Sequence, residues 1–157
     1  MSQQTISFRP ITEDDLKFLY RVYASTREAE MALLAWSDRE KEDFLRFQFK
    51  AQHTYYQQHF AKTQFDLILL DGQPIGRLYL DRRSDEVRIV DIALLTQHRG
   101  QGIGGQIMGD ILQEARRAGL PVRIHVEQNN PALRLYYRLG FKEIGDEGVY
   151  YLMEWQP

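Results

Sequence analysis

Four glycines fall close together in the stretch RGQGIGG, residues 99–105. An apolar run rich in β-branched residues precedes this stretch at 87–95, and isoleucines at 103, 107 and 111 follow it. This order predicts a buried strand, a glycine-rich turn and an amphipathic helix. The first N–H groups of a helix lack partners within the helix and lie at the positive end of its dipole, and glycine lets a ligand approach closely. The stretch therefore predicts a site that binds phosphate groups.

Two familiar phosphate-binding loops do not fit this stretch. A Walker loop ends in Gly-Lys-Ser/Thr, whereas this one ends in Gly104-Gly105-Gln106. A dinucleotide-binding turn follows the first strand of a βαβ unit, and an acidic residue follows about twenty positions later. Here the turn comes late in the chain, and the strand predicted at 122–126 contains no acidic residue.

The spacing of Arg99, Gly102 and Gly104, Arg-x-x-Gly-x-Gly, resembles the acetyl-coenzyme A signature of the GNAT superfamily of N-acetyltransferases. The stretch NNPALRLYYRLGF, residues 129–141, resembles the late motif of that family, in which Asn, Ala, Tyr and Gly-Phe recur at set spacings. The two motifs occur in the family's order and cover the second half of the chain. The first half resembles the family only in the order of its predicted elements.

The resemblance implies an α/β fold in a single domain over residues 1–157, with a mixed, mostly antiparallel sheet of about seven strands flanked by about four helices. The patterns along the chain agree: a strand, two helices, a three-strand meander, a helix, a strand, a helix and two strands. The second helix, from Ser37 to about Phe60, has a strongly aromatic face that we expect to pack in the core.

The resemblance also implies acetyl-coenzyme A as cosubstrate, with the glycine turn on its pyrophosphate and the end of the preceding strand on its pantetheine arm. Asn129 and Asn130 both approximate the family's asparagine, and Asn130 is also explained as the cap of a helix that begins with proline. The residues expected to bind the coenzyme are Ile92, Ala93, Leu94, Arg99, Gly100, Gln101, Gly102, Ile103, Gly104, Gly105, Asn129, Asn130, Ala132 and Tyr136.

Acetyl transfer to an amine also needs a group that stabilises the departing thiolate and a base for the amine. Tyr136 precedes Gly140 by four residues, as the family's tyrosine does, and a phenol keeps its proton at neutral pH. Tyr137 is the rival, since a shift of one residue would exchange the two. Asp91 lies among apolar residues of the strand before the turn and is the candidate base. Its alternative is a carboxylate that bonds neighbouring backbone or an arginine.

The acceptor amine is expected beside residues 25–36, which join the first two predicted helices. Glu28 and Glu30 lie there next to apolar side chains, and Asp91 could complete a site for a primary amine of a small molecule or peptide. The alternative is that both glutamates are solvated. A different class of function is a catalytically silent module that binds acyl-coenzyme A for regulation.

Composition limits the other functions. The 157 residues have a hydrophobic fraction of 43% and a net charge of −2, so bulk charge indicates no nucleic-acid partner. The chain has no cysteine, and the spacing of its four histidines matches no metal site, so we expect no metal. No signal peptide or membrane span is evident, and we expect a cytoplasmic protein without a membrane partner. A homodimer is compatible with the sequence but not indicated by it.

Overall fold

Seven strands and five α-helices make up residues 4–157, the part of the chain that the computed structural model describes. The strands are β1 (Ile6–Pro10), β2 (Gln64–Leu70), β3 (Gln73–Arg82), β4 (Val87–Leu94), β5 (Val122–Glu127), β6 (Lys142–Asp146) and β7 (Tyr150–Trp155). The helices are α1 (Leu16–Thr26), α2 (Glu28–Ala32), α3 (Asp38–His59), α4 (Ile103–Ala118) and α5 (Leu133–Leu139). Short 3-10 helical turns occupy Glu13–Asp15 and Thr96–His98.

The strands form one sheet in the order β1-β2-β3-β4-β5-β7-β6. The pairs β1–β2, β5–β7 and β6–β7 are antiparallel, whereas β4–β5 is parallel. Connections of two and four residues join β2 to β3 and β3 to β4, and such short connections require antiparallel neighbours. The mixed, mostly antiparallel sheet confirms the predicted fold class. One more helix is present than expected because α2 forms within the irregular segment 25–36.

Local hydrogen bonds begin the first helices where the sequence indicates. The Ser37 hydroxyl accepts a bond from the Glu40 N–H at 3.1 Å, and the Glu40 carboxylate accepts one from the Ser37 N–H at 3.2 Å. This reciprocal pair satisfies two donors that the helix itself cannot bond. At the start of the chain the Thr12 N–H donates to Asp15 at 2.7 Å, and Arg9 binds the same carboxylate through both of its terminal nitrogens.

The described chain divides into two compact units, residues 4–78 with 92–98 and residues 79–91 with 99–157. The single domain over 1–157 therefore stays a prediction. In the first unit α1 and α3 pack around a core of Leu19, Tyr23, Leu45, Phe49 and Leu67. In the second unit the predicted apolar face of α4 is buried, and the sheet adds buried aliphatic residues. The members of this second core include Ile103, Ile107, Ile111, Ala115, Val122, Ile124 and Met153.

The aromatic side chains of α3 do not all enter the core. Phe49 is buried, but Phe44 is 38%, Phe47 69% and Tyr55 52% exposed, so the expected core packing is wrong for these three residues. The reason is geometric: positions four apart share one helix face, and Phe47 and Tyr55 lie on a different face from Phe49. Within residues 4–157, no helix combines the length and apolar character needed to cross a membrane.

A buried carboxylate links the strands of the second unit. Glu86 is 4% exposed and accepts hydrogen bonds from Arg83 at 2.9 Å, Arg123 at 3.0 Å and Arg88 at 3.2 Å. Arg88 lies on β4 and Arg123 on β5, so Glu86 connects the two parallel neighbours. Burial alone would raise the pKa of Glu86, but the hydrogen bonds and charges of Arg123 and Arg88 outweigh it and hold that pKa below its ordinary value.

We expect Glu86→Gln to lower the free energy of unfolding at neutral pH by about 2 kcal/mol, because it removes the charge that three arginines share. The pKa of Glu86 is lower in the folded protein than its value of about 4.5 in the unfolded chain. Ionised Glu86 therefore stabilises the fold fully at pH values above about 4.5, and this stabilisation is lost as the pH falls through the folded pKa. Urea unfolding should thus show a constant difference between wild type and variant above about pH 6, shrinking below about pH 4.5.

The control is Glu114→Gln. Glu114 makes an equally short pair with Arg82, at 2.7 Å, but about half of each side chain is exposed. Exposed pairs contribute little, so this variant should lose less than about 1 kcal/mol. Equal losses in the two variants would contradict the role assigned to burial of Glu86.

Candidate active site

The parallel pairing of β4 with β5 is short. Val87, Arg88 and Ile89 face Val122, Arg123 and Ile124, and the pairing extends over these residues. Beyond it β4 continues for five residues to Leu94, while β5 continues to Glu127 paired with β7. Because side chains alternate along a strand, Asp91 points to the same face of β4 as the buried Ile89.

The glycine turn follows β4 and leads directly into α4. Gly100 and Gly102 have φ angles of 72° and 84°, in the left-handed region that favours glycine. A Cβ atom built on either residue would meet nothing within 4 Å, so the protein leaves the space beside the turn open. The first bond of α4 runs from the Gln106 N–H to the Gly102 carbonyl at 3.0 Å. The N–H groups of residues 103–105 precede it, and the turn therefore fits the predicted phosphate ligand.

The turn and the late motif meet in the second unit. A Cβ atom at Gly104 or Gly105 would lie 3.9 or 3.8 Å from a methyl group of Leu135, which is ordinary contact distance. Leu135 directly precedes Tyr136 on α5. The structure therefore brings the start of α4 against α5, so that two motifs thirty residues apart in the chain become neighbours.

The spacing between Tyr136 and Gly140-Phe141 has a structural cause. The Phe141 N–H donates to the Tyr136 carbonyl at 3.0 Å, and the Gly140 N–H donates to the Tyr137 carbonyl at 3.1 Å. This is a Schellman motif, in which a glycine with positive φ, here 102°, ends the helix. The rings of Tyr136 and Phe141 pack edge to face, with centroids 5.6 Å apart. Gly140 thus ends α5, and Phe141 packs against the ring of Tyr136.

The phenol of Tyr136 is buried and feels the charge of Asp91. Tyr136 is 5% exposed, and burial together with the nearby Asp91 charge raises the pKa of its phenol to about 12. Tyr137 points elsewhere: it is 45% exposed, and Glu143 lies close enough to its phenol to affect it. The structure therefore places the candidate acid within electrostatic range of the candidate base and leaves the rival tyrosine at the surface.

The asparagines have different surroundings. The Asn130 Oδ1 accepts the Ala132 N–H at 2.9 Å, so Asn130 caps the start of α5, as expected. Asn129 is exposed in the same turn. At the other end of the predicted set, Ile92, Ala93 and Leu94 form the end of β4 in the first unit, each half-buried.

A cleft of about 560 Å³ in the first unit contains one of the predicted acceptor residues. Glu28 lines it, and the Thr96 hydroxyl donates a hydrogen bond to its carboxylate at 3.4 Å. Glu30 instead forms an ion pair with Arg27 at 3.0 Å. The other lining residues are Tyr20, Arg21, Ala24, Ser25, Met31, Ala32, Asp38, Lys41, Glu42, Leu45, Leu95, Thr96 and Gln97.

His125 is a polar residue of β5 to which the sequence assigned no role. Its Nε2 lies 2.7 Å from the Glu147 carboxylate and its Nδ1 lies 3.3 Å from Arg88. Because arginine can only donate, Nδ1 accepts and Nε2 bears the proton. These bonds hold the ring in one tautomer and indicate a structural part for His125 beside the Glu86 network.

Comparisons with known proteins agree with this arrangement. The model of the acetyltransferase (GNAT) family matches residues 19–141. The ribosomal protein bS18-alanine N-acetyltransferase of Haemophilus influenzae is 27% identical over 85 residues, which are 54% of this chain and 58% of that relative. The chain thus matches little more than half the length of this curated relative.

Solved structures show the same fold over nearly the whole chain. The PaiA N-acetyltransferase of Thermoplasma acidophilum in complex with coenzyme A has a TM-score of 0.72 at 19% identity, over 98% of this chain and 99% of that one. A GNAT acetyltransferase of Elizabethkingia anophelis with acetyl-coenzyme A bound has a TM-score of 0.60 at 17% identity, over 97% and 98%. The family match spans most of the sequence, and the chain belongs to the GNAT family. This family match confirms the resemblance of the two motifs.

We expect Gly102→Glu to abolish measurable binding of acetyl-coenzyme A in calorimetry, because it places bulk and negative charge beside the N–H groups that would hold phosphate. The matched control is Gly119→Glu at the opposite end of α4, where φ is 70° and the space around a Cβ is equally open. Both variants force a side chain into the left-handed region, so both should lose similar stability. Equal affinity in the two folded variants would contradict the site.

Proposed function

We propose that the protein transfers an acetyl group from acetyl-coenzyme A to a primary amine of a small molecule or peptide by direct attack of the amine. The observation that best supports this reaction is the buried phenol of Tyr136 within electrostatic range of the Asp91 carboxylate. The pair belongs to the same unit as the glycine turn. A cytoplasmic location and a homodimer stay predictions.

The coenzyme would be held by the turn and its flanks, Arg99 to Gly105, with the end of β4 along its pantetheine arm. The open space beside Gly100 and Gly102 supports this assignment, as does the coenzyme bound in the similar structure from Thermoplasma acidophilum. When bound, acetyl-coenzyme A supplies the thioester that is the acetyl donor. The protein's own contribution is to orient that group and to exclude water from it.

Tyr136 is proposed to stabilise the departing sulfur by donating a hydrogen bond. A phenol with a pKa of about 12 holds its proton more tightly than a thiol, whose ordinary pKa is about 8.5. Complete transfer of the proton to the sulfur is therefore unfavourable at this residue. A donor that stays neutral and fixed in place still lowers the energy of the developing charge. The packing of Tyr136 against Phe141 supports such a fixed position.

Asp91 is proposed as the base that accepts the proton of the attacking amine, directly or through water. It is half-buried on β4, and its charge also helps to keep the Tyr136 phenol protonated. The two groups thus suit opposite tasks. Asp91 accepts a proton from the amine, while Tyr136 keeps its own proton and donates a hydrogen bond to the sulfur.

The cleft of the first unit is proposed as the acceptor site. Glu28 there could bind an ammonium group while apolar neighbours such as Met31 and Leu95 contact the rest of the acceptor. The bond from Thr96 to Glu28 supports a held carboxylate at this position. Glu30 has less support because Arg27 already pairs with it. A peptide acceptor has a precedent in the Haemophilus relative, which is named for an alanine of a ribosomal protein.

A screen of primary amines, with release of free coenzyme A thiol as the signal, tests the proposal. It should include small diamines, aromatic amines and peptides with different first residues. Turnover of one class above the rate of acetyl-coenzyme A hydrolysis supports an N-acetyltransferase. Tight binding of acetyl-coenzyme A without turnover of any class would favour the silent regulatory module instead.

We expect Tyr136→Phe to lower kcat by roughly ten- to a thousandfold with little change in acetyl-coenzyme A affinity, because only the hydroxyl is removed and the ring keeps its packing. Tyr137→Phe should matter much less. The raised pKa also predicts that wild-type kcat shows no loss from phenol ionisation below about pH 11. Steady-state kinetics across pH measures both effects, and a larger defect in Tyr137→Phe would show that the roles are exchanged.

For the acceptor, we expect Glu28→Gln to raise the acceptor KM and Asp91→Asn to lower kcat, while the KM of acetyl-coenzyme A stays constant. Each change removes a negative charge but keeps the shape of the side chain. Glu30→Gln serves as the comparison, since it breaks the ion pair with Arg27 outside the cleft. Wild-type behaviour of all three variants with the amine found in the screen would rule out these acceptor assignments.

A further inference from the structure

Apolar side chains are exposed along one face of α3. Phe44, Phe47, Ala51 and Tyr55 are all exposed within residues 4–157, and their spacing places them on the same side of the helix. These four residues are called the outer face of α3. A groove of about 430 Å³ follows the outer face, and its lining residues are Phe47, Lys50, Ala51, Thr54, Tyr55 and Gln58.

The apolar surface continues beyond the start of the helix. The rings of Trp36 and Phe44 pack edge to face with centroids 5.4 Å apart, and Trp36 is itself 40% exposed. Leu33, three residues earlier, is 87% exposed. Single apolar residues at a surface are common, but a continuous row of them is typical of a surface that binds another protein.

The charges beside the outer face indicate which partner fits it. Asp43 and Lys50 lie seven residues apart, which is two helical turns, on the same flank of the face, and Phe47 lies between them. The Asp43 side chain is 72% exposed, and its pair with the exposed Arg39 is 4.0 Å long, so that pair contributes little. Lys50 forms no ion pair within residues 4–157. A carboxylate and an ammonium group are therefore both free to bind a partner.

A second copy of the chain satisfies this pattern when two α3 helices pack antiparallel. A two-fold axis near Phe47 places Asp43 of one copy beside Lys50 of the other, and the symmetry repeats this pair. Parallel helices would instead place like charges together. In the antiparallel pair, the groove that extends from Phe47 toward the end of α3 faces the first turns of the second helix, where Phe44 is exposed.

We propose that the protein forms a homodimer through the outer face of α3, with antiparallel helices and Phe47 at the axis. The aromatic side chains form the apolar centre of the interface, and the two Asp43–Lys50 pairs fix the direction of the helices. The inference does not depend on the proposed acetyl transfer, because the experiments that test it contain no acetyl-coenzyme A.

Sedimentation equilibrium measures the dimer. We expect Phe47→Arg to raise the dissociation constant about a hundredfold or more, because it removes two aromatic rings and places two like charges at the axis. The matched control is Val149→Arg, since Val149 is 66% exposed but lies in the turn before β7 in the second unit. It should dimerise like the wild type. A wild type that is monomeric at about 100 μM, or a dimer that Phe47→Arg does not weaken, would overturn the inference.

An exchange of charges tests the pairing. Asp43→Lys and Lys50→Asp each place like charges opposite one another, so each variant alone should weaken the dimer about tenfold at low salt. The double variant restores opposite charges with the same net charge as the wild type and should dimerise like it. In a parallel dimer each single variant would keep like charges together, so single variants of wild-type affinity would overturn the antiparallel pairing. A double variant as weak as the single ones would also overturn it.

Disulfide cross-linking gives a second measurement of direction, because the chain contains no cysteine of its own. Asp43→Cys and Lys50→Cys keep every aromatic residue of the outer face. When the two variants are mixed and oxidised, we expect a disulfide between them. Neither variant should link to its own copy, since identical positions lie about 10 Å apart along antiparallel helices, too far for a disulfide. Self-linked products without the mixed product would overturn the inference.

Discussion

The short parallel pairing of β4 with β5 is the constraint on which the candidate site depends. Three residues of each strand pair, and both faces of the pairing are held. On one face Val87, Ile89, Val122 and Ile124 are buried, and on the other Glu86 accepts hydrogen bonds from both strands. Aliphatic burial and a shared carboxylate together offset the weakness of so short a parallel ladder. The pairing with β5 covers only the first residues of β4, and Asp91 lies just beyond the paired residues. There the edge of β4 that faces β5 is available to bind a ligand.

The two carboxylates of this region illustrate how surroundings determine the task of a chemical group. Glu86 lies among three arginines, which lower its pKa and keep it ionised, so it suits a structural part. Asp91 acts on a neutral, buried phenol, and its charge helps to raise the pKa of that phenol to about 12. A fixed anion next to a proton donor is the arrangement expected where proton transfer accompanies bond formation. The same residue chemistry therefore supports the fold just before β4 and the proposed reaction within it.

The glycines divide by the physical reason for their presence. Gly102, Gly119 and Gly140 have positive φ and begin or end helices, which a local sequence pattern can indicate. Gly76 has ordinary backbone angles and is required only because another strand passes too close for a Cβ atom. Reading the sequence alone, one would treat Gly76 as a weak position of a strand. Its importance becomes visible only when Ala93 is placed beside it.

The sequence by itself determined what depends on near neighbours in the chain. The alternation of the strands, the capping pair Ser37 and Glu40, the left-handed turn at Gly102 and the end of α5 at Gly140 all follow from interactions within a few residues. Tertiary structure decided what depends on distant segments: the charge of Asp91 acts on the buried phenol of Tyr136, Tyr137 lies at the surface, and Arg123 joins the two nearby arginines around Glu86. It also left Phe47 and Tyr55 exposed, because apolar spacing on a helix shows which residues share a face but not which face another element covers. Short connections fix the neighbours within the three-strand meander, but no local pattern specifies the pairing of strands separated by helices, such as β4 with β5 and β5 with β7.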